Sequence, residues 1–395
     1  MTDPVYLDNN ATTKPAPEVV EVMHRAMTEW WANPSSVHRA GQMVRQQIEL
    51  ARELVARLIG CQGRELVFTS GGTEAADLAI RGTLDEWMQR HPGRTPVFVT
   101  SRLEHSAVRE LAERLASRDV EIVWIDNDDR GLVRLDHLEQ ILDERSGDIA
   151  LVSIMWANNE TGVVQPIHRI GEMCRGHRVR FHTDATQWVG KYPVNVSQWP
   201  IDLLSFAGHK FHGPKGAGGL YVRKGVRLAA QVIGGPQERE HRGGTEHVAG
   251  IIGLGKAAEL ASRWLAGDGA SEQATQRDRF EQAVLESCPA SHTNPPDANA
   301  VDRLWNTTNI AFPGLDAEAV LLMLSERGVY ASAGAACSSG SLDPSPVLEA
   351  MNVPAESARG SVRFSLSRHT TADEVDRAVE TISAVVEKLR AVPAS

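Results

Sequence analysis

Short apolar runs along the chain alternate with longer segments in which apolar residues recur at helical spacing. The strand-like runs, several of them apolar throughout, lie at 65–69, 96–100, 120–125 and 148–156. Runs of this kind are typical of strands buried on both faces of a sheet. Helical periodicity occupies 17–31, 41–59, 73–90 and 107–117. This alternation of strands and helices predicts an α/β fold with a mostly parallel sheet.

The pattern changes in the second half of the chain. Further strand-like runs are short, at 179–183, 202–206, 219–222, 309–312 and 362–366. Helical segments lie at 248–264, 273–287, 316–327 and 372–390, and the stretch 291–300, with two prolines and two asparagines, is typical of a loop. The simplest division is a large α/β domain to about residue 262, followed by a smaller α/β domain.

Composition excludes several classes of protein. With 395 residues, 42% hydrophobic and 23% charged, the chain is an ordinary globular one. Its net charge of −10 argues against general binding of nucleic acid or of anionic membranes. We find no transmembrane run or secretion signal, and we expect a cytoplasmic protein. The four cysteines form no CxxC pair, which argues against a disulfide framework or a zinc ribbon; they are Cys61, Cys174, Cys288 and Cys337.

Two motifs follow predicted strands at points where α/β proteins bind ligands. Residues 70–74 (SGGTE) open a helix, so Gly72 and Thr73 are candidates for an anion site, or Thr73 simply caps the helix. Residues 181–187 (FHTDATQ) place Asp184 at the end of an apolar run. This carboxylate could pair with a protonated heterocyclic nitrogen or could cap the next helix.

A lysine follows another buried run, within residues 205–216 (SFAGHKFHGPKG). Burial lowers the pKa of a lysine, so Lys210 could attack a carbonyl and form a Schiff base. A phosphate-binding P-loop from Gly208 to Lys215 is disfavoured, because Pro214 intervenes and no Ser or Thr follows for magnesium. A surface lysine in a turn is the remaining alternative.

Three further side chains are candidates for chemistry. Cys337 lies in a segment rich in Ala, Ser and Gly (330–341), a composition that favours an accessible, reactive thiol over a buried one. His105 follows a strand and could stack on an aromatic cofactor or move a proton. Arg363 could bind a substrate carboxylate, or could be a solvated strand residue. The histidines form no metal-binding motif, so we predict no metal site built by the protein.

In combination, these motifs resemble the class V aminotransferase group of pyridoxal-phosphate enzymes, and more narrowly the cysteine desulfurases of the NifS/IscS type. The resemblance covers nearly the whole chain. Besides the segments around Asp184, Lys210 and Cys337, it includes 6–13 (YLDNNATT), 33–36 (NPSS), 155–162 (MWANNETG), 242–246 (RGGTE) and 364–367 (FSLS).

The resemblance implies a fold and a domain division. The fold is that of the pyridoxal-phosphate-dependent transferases of fold type I, in which a mostly parallel seven-stranded sheet is flanked by helices and joined by a smaller α/β C-terminal domain. The large domain would span 16–262. The small domain would comprise 1–15 and 263–395, with the cysteine loop at about 331–343.

The resemblance also implies roles toward pyridoxal 5'-phosphate. Lys210 would form the Schiff base and carry protons, Asp184 would pair with the ring nitrogen, and His105 would stack on the ring. The remaining cofactor residues are Asn158 and Gln187 near the phenolic oxygen of the ring, Gly72, Thr73 and His209 around the phosphate, and Thr245. Thr245 would come from a neighbouring subunit, which implies a homodimer.

One departure from the family pattern concerns the residues around the phosphate. Relatives often have Ser at the position of Ala207, and a methyl group cannot donate a hydrogen bond. Such a bond to a charged group contributes about 1.5–3 kcal/mol. We expect Ser205 to replace this contact, with somewhat weaker retention of the cofactor.

The implied reaction removes sulfur from L-cysteine. Arg363 would bind the substrate carboxylate, in a pocket whose other residues would be Asn10, Asn33 and Asn158. Cys337 would attack the substrate sulfur and keep it as a persulfide, while L-alanine leaves. The sulfur would pass to an iron–sulfur scaffold or another acceptor protein, and Cys337 could transiently ligate a nascent cluster. The alternatives are another class V enzyme, such as selenocysteine lyase, kynureninase or an aminotransferase, and a non-catalytic assembly subunit.

Overall fold

The computed structural model describes residues 3–334 and 345–391, so the predicted nucleophile Cys337 lies outside the described residues. The strands are β1 Val5–Tyr6, β2 Leu66–Thr69, β3 Val97–Ser101, β4 Glu121–Ile125, β5 Ile149–Ser153, β6 Phe181–Asp184, β7 Leu203–Ala207, β8 Gly218–Val222, β9 His292–Thr293, β10 Thr307–Ala311, β11 Val329–Tyr330, β12 Ser332–Ala333 and β13 Ser361–Ser365. The helices are α1 Pro17–Thr28, α2 Arg39–Ile59, α3 Gly72–Arg90, α4 Ser106–Leu115, α5 Leu135–Arg145, α6 Ile167–Gly176, α7 Val248–Leu265, α8 Gly269–Ser287, α9 Ala317–Glu326, α10 Pro346–Ala350, α11 Ala355–Arg359 and α12 Ala372–Arg390.

A seven-stranded sheet organises the first two thirds of the chain, in the order β2-β8-β7-β6-β5-β3-β4. The five strands from β7 to β4 are parallel to their neighbours, and β8 runs antiparallel to both β7 and β2. Every residue of β3, β5 and β7 is buried, as the uniformly apolar runs predict. Helix α3 packs across the sheet, and α1 and α2 pack on α7. The predicted fold class, with its mostly parallel seven-stranded sheet, is confirmed.

A second, antiparallel sheet forms from the C-terminal third of the chain, in the order β12-β13-β10-β9. Its core includes Phe280, Phe312 and Phe364 and also two residues from the N-terminus, Val5 and Leu7. The N-terminus joins this core because β1 pairs in parallel with β11. A domain division at residues 15 and 262 stays a prediction.

No helix in the described ranges is both long enough and apolar enough to span a lipid bilayer. Within the same ranges, His, Cys, Asp and Glu side chains form no group of three or more that could hold a metal ion.

Candidate active site

A cavity of about 450 Å³ opens at the carboxyl ends of the parallel strands. This is the edge at which open α/β sheets bind ligands. Its lining includes predicted site residues and some of their neighbours. These are Asn10, Gly72, Thr73, Glu104, His105, Asn159, Glu160, Asp184, Thr186, Gln187, Ala207, His209, Lys210 and Arg363. The cavity therefore brings together segments that are far apart in the sequence.

Lys210 stands in the short turn that follows β7. Its Nζ donates to the carbonyl oxygens of Asn10 and Ala11, at 2.7 and 2.9 Å. The turn is tightly packed, since a Cβ on Gly208 would lie 2.8 Å from Leu254 Cδ1. The rigid turn thus fixes where the amine enters the cavity.

Asp184 ends β6 and is 7% exposed. Its Oδ1 accepts from the backbone N–H of Thr186 at 3.0 Å and from Ser205 Oγ at 3.3 Å. Asp184 thus supports the following turn, as the capping interpretation expects, and it also lines the cavity that contains Lys210.

His105 caps helix α4 and lines the same cavity. Its Nδ1 accepts from the N–H of Ala107 at 3.1 Å, which leaves the proton of the neutral ring on Nε2. Burial is the largest influence and lowers the pKa of His105; the Asp184 carboxylate opposes this effect and the Lys210 amine adds to it. The imidazole is therefore a neutral base at pH 7.

The N-terminus of α3 provides an anion-binding wall. A Cβ on Gly72 would lie 2.9 Å from Thr186 Oγ1 and 3.6 Å from Ala207 Cβ, so the backbone and both side chains approach closely. Thr186 Oγ1 is buried and has no hydrogen-bond partner among the described residues. On the same cavity wall, burial lowers the pKa of His209 to about 4. Unpaired N–H groups at a helix start and an unused hydroxyl suit a phosphate group.

Arg363 reaches the cavity from β13 of the second sheet. Its side chain is only 2% exposed, which contradicts the alternative of a solvated strand residue. Nη2 donates to Asp8 Oδ1 at 2.7 Å and Nη1 to the Asn159 carbonyl at 3.1 Å. Nε is buried and, within the part of the chain that the structure describes, has no partner. The guanidinium thus keeps a donor for a ligand carboxylate.

The donor set fits pyridoxal 5'-phosphate. The Lys210 amine can bond to the cofactor aldehyde, and Asp184 can pair with the ring nitrogen. The wall at Gly72 can take the phosphate, with the buried hydroxyl of Thr186 as an unused donor beside it.

The expectation that Ser205 replaces the missing phosphate contact is wrong. Ser205 Oγ lies 3.3 Å from Asp184 Oδ1 and 3.1 Å from His182 Nε2, within the sheet. Ser205 precedes Ala207 by two strand positions, and this moves it about 6–7 Å back from the sheet edge. The hydroxyl that approaches Gly72 beside Ala207 belongs to Thr186.

Three other predicted residues lie away from this cavity. Asn158 is buried in the loop after β5, where its Nδ2 donates to the Leu103 carbonyl and its Oδ1 accepts from the N–H of Glu160. Asn33 and Thr245 are exposed. Among the described residues of the single chain, the lining of the cavity includes none of these three.

Two buried ionisable residues escaped the sequence analysis. Lys191 donates to Gln187 Oε1 at 2.7 Å and to Asn10 Oδ1 at 2.8 Å, and burial holds its pKa well below its usual range. Glu104 accepts from the N–H of Met155 at 2.6 Å, and burial raises its pKa. Glu104 adjoins His105 in the sequence, a signal that was available. Lys191 gives no comparable signal, because two of its three partners, Asn10 and Asn306, lie far away in the sequence.

Comparison with known proteins assigns the family. Residues 5–378 match the model of the family described as aminotransferase class-V. A cysteine desulfurase from Trichormus azollae is 45% identical over 390 residues, which cover 98% of this chain and 94% of the relative. The cysteine desulfurase NifS of Azotobacter vinelandii is 43% identical over 390 residues, with the same coverage of 98% and 94%.

Solved structures agree with this result. A NifS-like protein superposes with a TM-score of 0.89 at 33% identity, covering 98% of this chain and 100% of its own. SspA in complex with cysteine superposes with a TM-score of 0.80 at 33% identity, covering 93% and 99%. The resemblance seen in the sequence motifs is confirmed, and the protein belongs to the class V aminotransferase family.

Proposed function

We propose that this protein is a cysteine desulfurase that uses pyridoxal 5'-phosphate to convert L-cysteine into L-alanine and a protein-bound persulfide on Cys337. The observation that carries the proposal is the meeting of Lys210, Asp184 and His105 at one cavity, with Arg363 entering from the second sheet. The relatives named cysteine desulfurase, at 43–45% identity over nearly the whole chain, support the same activity.

The cofactor would supply part of the chemistry, and the residues that contact it would supply the rest. When bound, pyridoxal phosphate supplies an aldehyde that bonds to amines and a ring that withdraws electrons from the substrate. Lys210 would hold the aldehyde and would then move a proton at the substrate Cα. Asp184 would accept the ring N–H, and the N-terminus of α3 and Thr186 would bind the phosphate. Gln187 Nε2, which donates to the Asn10 carbonyl at 3.0 Å, would have a second proton for the ring oxygen.

The chain also positions the substrate. Arg363 binds the carboxylate of L-cysteine through the donors that Asp8 and Asn159 leave unused. His105, a neutral base, can take the proton of a thiol. The described residues on either side of the segment of Cys337 lie at the cavity, since the Gly334 carbonyl accepts from Arg363 Nη1 at 3.4 Å and Pro346 lines the cavity.

The sulfur step uses Cys337 as the nucleophile. Its thiolate forms a bond to the substrate sulfur while the Cβ–S bond of the substrate breaks. The electron pair of that bond stays with the three-carbon fragment, which takes up a proton and leaves as L-alanine. The persulfide sulfur is then available to an iron–sulfur scaffold or another acceptor protein.

A homodimer completes this proposal. Thr245 is exposed and lies outside the cavity of its own chain in the described residues, so a role at the phosphate requires a second copy. Large apolar side chains are also exposed, with Trp31 at 75%, Val37 at 89% and Ile233 at 88%.

The test is turnover of L-cysteine by the purified holoenzyme with a reductant present. We expect L-alanine and sulfide in equal amounts from the wild type. Cys337→Ser should keep the visible absorbance of the bound cofactor and lose sulfide release, while Lys210→Ala should lose turnover. Cys61→Ser is the matched control, because burial raises the pKa of that thiol to about 12 and the thiol lies outside the cavity lining. Sulfide release by Cys337→Ser at the wild-type rate would refute the nucleophile.

A further inference from the structure

A row of buried polar side chains crosses three neighbouring strands behind Asp184. Ser153 ends β5, His182 lies in β6 and Ser205 lies in β7, and all three are fully buried. The sheet register sets Ser153 beside His182 and Ser205 beside Asp184. The row therefore leads from the interior of the sheet to the cavity edge.

The hydrogen bonds along this row have one consistent direction. Ser205 Oγ donates to Asp184 Oδ1 at 3.3 Å, since a carboxylate can only accept. Having used its single proton, Ser205 Oγ accepts from His182 Nε2 at 3.1 Å. His182 Nδ1 then accepts from Ser153 Oγ at 2.8 Å. Each of the three side chains therefore donates its proton to the next group along the row, which ends at Asp184.

A neutral His182 suits this arrangement. Burial lowers its pKa to about 4, so the ring carries one proton at pH 7. With both ring nitrogens engaged and the side chain fully buried, His182 cannot reach a substrate. It can act only through Ser205 and Asp184.

We propose that Ser153, His182 and Ser205 are positioning residues that orient the Asp184 carboxylate toward the ring nitrogen of the cofactor. Ser205 and the backbone N–H of Thr186 both donate to Oδ1, which prevents rotation of the carboxylate. The second oxygen is left for the cofactor. The inference rests on the proposed function, because it requires pyridoxal phosphate in the cavity.

The decisive variant is Ser205→Ala, which removes the donor to Asp184. We expect cofactor affinity to fall about 10- to 150-fold, the range that corresponds to one hydrogen bond to a charged group. The ¹⁵N signal of a labelled cofactor ring should move toward the value of the unprotonated nitrogen. The value of kcat should fall while KM stays within about twofold, because the substrate contacts are unchanged.

Thr183→Val is the matched control. Thr183 lies in β6 between His182 and Asp184 and is as buried as Ser205. Its Oγ1 has no hydrogen-bond partner among the residues the structure describes. Its loss should leave the cofactor dissociation constant and the ring signal at wild-type values.

The wild type supplies a second measurement that needs no variant. The ¹⁵N spectrum of His182 should show the tautomer protonated at Nε2. The Nδ1–H tautomer, or a Ser205→Ala protein that matches Thr183→Val in both affinity and ring signal, would overturn the inference. If the wild type bound no pyridoxal phosphate, the proposed function itself would fail.

Discussion

Burial controls the ionisation of the histidines near the cavity. It is the largest cause of the lowered pKa at His105, His182, His209 and His212. These imidazoles are consequently neutral at pH 7, so they can accept protons or hydrogen bonds without placing further positive charge beside Lys210.

His212 allows this effect to be measured. Burial lowers its pKa from 6.5 to about 3, and its Nδ1 lies 2.9 Å from the Lys14 carbonyl. The unfolded chain binds a proton below pH 6.5 and the folded chain does not, so acid costs stability. Between pH 7 and pH 4.5 this single group should remove about 2–3 kcal/mol from the free energy of unfolding.

The variant His212→Asn should remove that loss. Asn also donates to a carbonyl and tolerates the backbone φ of 65° at this position, but it does not titrate. Urea denaturation at pH 7 and pH 4.5 checks the prediction. The stability of the variant relative to wild type should improve by about 2–3 kcal/mol as the pH falls. A difference that is the same at both pH values would contradict it.

At the scale of single residues, the sequence predicted those that directly follow buried strands. Asp184, His105 and Lys210 all emerge at the carboxyl edge of the sheet, where position in the pattern indicates position in space. Ser205 was misassigned because its position along β7 determines what it contacts. It lies two residues back from the sheet edge, although it is close to Lys210 in the sequence. Lys191 was missed because two of its partners, Asn10 and Asn306, come from distant segments.

Among the elements, the edge strand β2 shows how a distant residue completes a sheet. Its outer edge presents the N–H of Phe68, which donates to Glu238 Oε2 at 2.8 Å. Glu238 also accepts from Arg52 Nη2 at 2.7 Å, and Arg52 Nη1 donates to the Leu66 carbonyl at 2.9 Å. This buried ion pair satisfies an edge that could otherwise pair with another chain.

Glu238→Gln should therefore destabilise the fold strongly. The change leaves the buried Arg52 guanidinium with only the exposed carboxylate of Glu49, 3.2 Å from its Nε, and this loss of the buried counter-charge costs about 3 kcal/mol or more. The control Glu121→Gln breaks an exposed pair with Arg145 and should cost less than about 1 kcal/mol. Thermal or urea unfolding measures both. Equal losses for the two variants would show that burial of the pair is unimportant.

Prediction of elements succeeded where local periodicity is strong. The segments 248–264 and 372–390 differ by at most one residue from α7 and α12. The two-residue strands β1, β9, β11 and β12 were not predicted, because each exists only through a partner far along the chain. In the same way, Glu238 and Phe68 are 170 residues apart, beyond the reach of any local pattern.

For the whole molecule, the proposed dimer makes a prediction about mixed subunits. If Thr245 of one chain contacts the cofactor that Lys210 of the other chain holds, a dimer of Lys210→Ala and Thr245→Ala chains contains one complete site. Co-expression should then yield sites with the wild-type cofactor dissociation constant. Dimers of Thr245→Ala alone should bind about tenfold more weakly.

Spectroscopic titration of separately purified and co-expressed proteins distinguishes the cases. If all cofactor binding by the co-expressed protein has the affinity measured for Thr245→Ala alone, Thr245 lies outside the partner's site.

The N-terminal segment has a consequence for the order of biosynthesis. Asn9 binds the Ser365 carbonyl across 356 residues, Asp8 pairs with Arg363, and the carbonyl of Asn10 holds the amine of Lys210. The first two contacts cannot form before residue 365 leaves the ribosome, whereas the contact between Asn10 and Lys210 needs only residue 210. The side of the cavity that Arg363 lines is consequently assembled late during synthesis, so nascent chains that end before this residue lack the complete pocket.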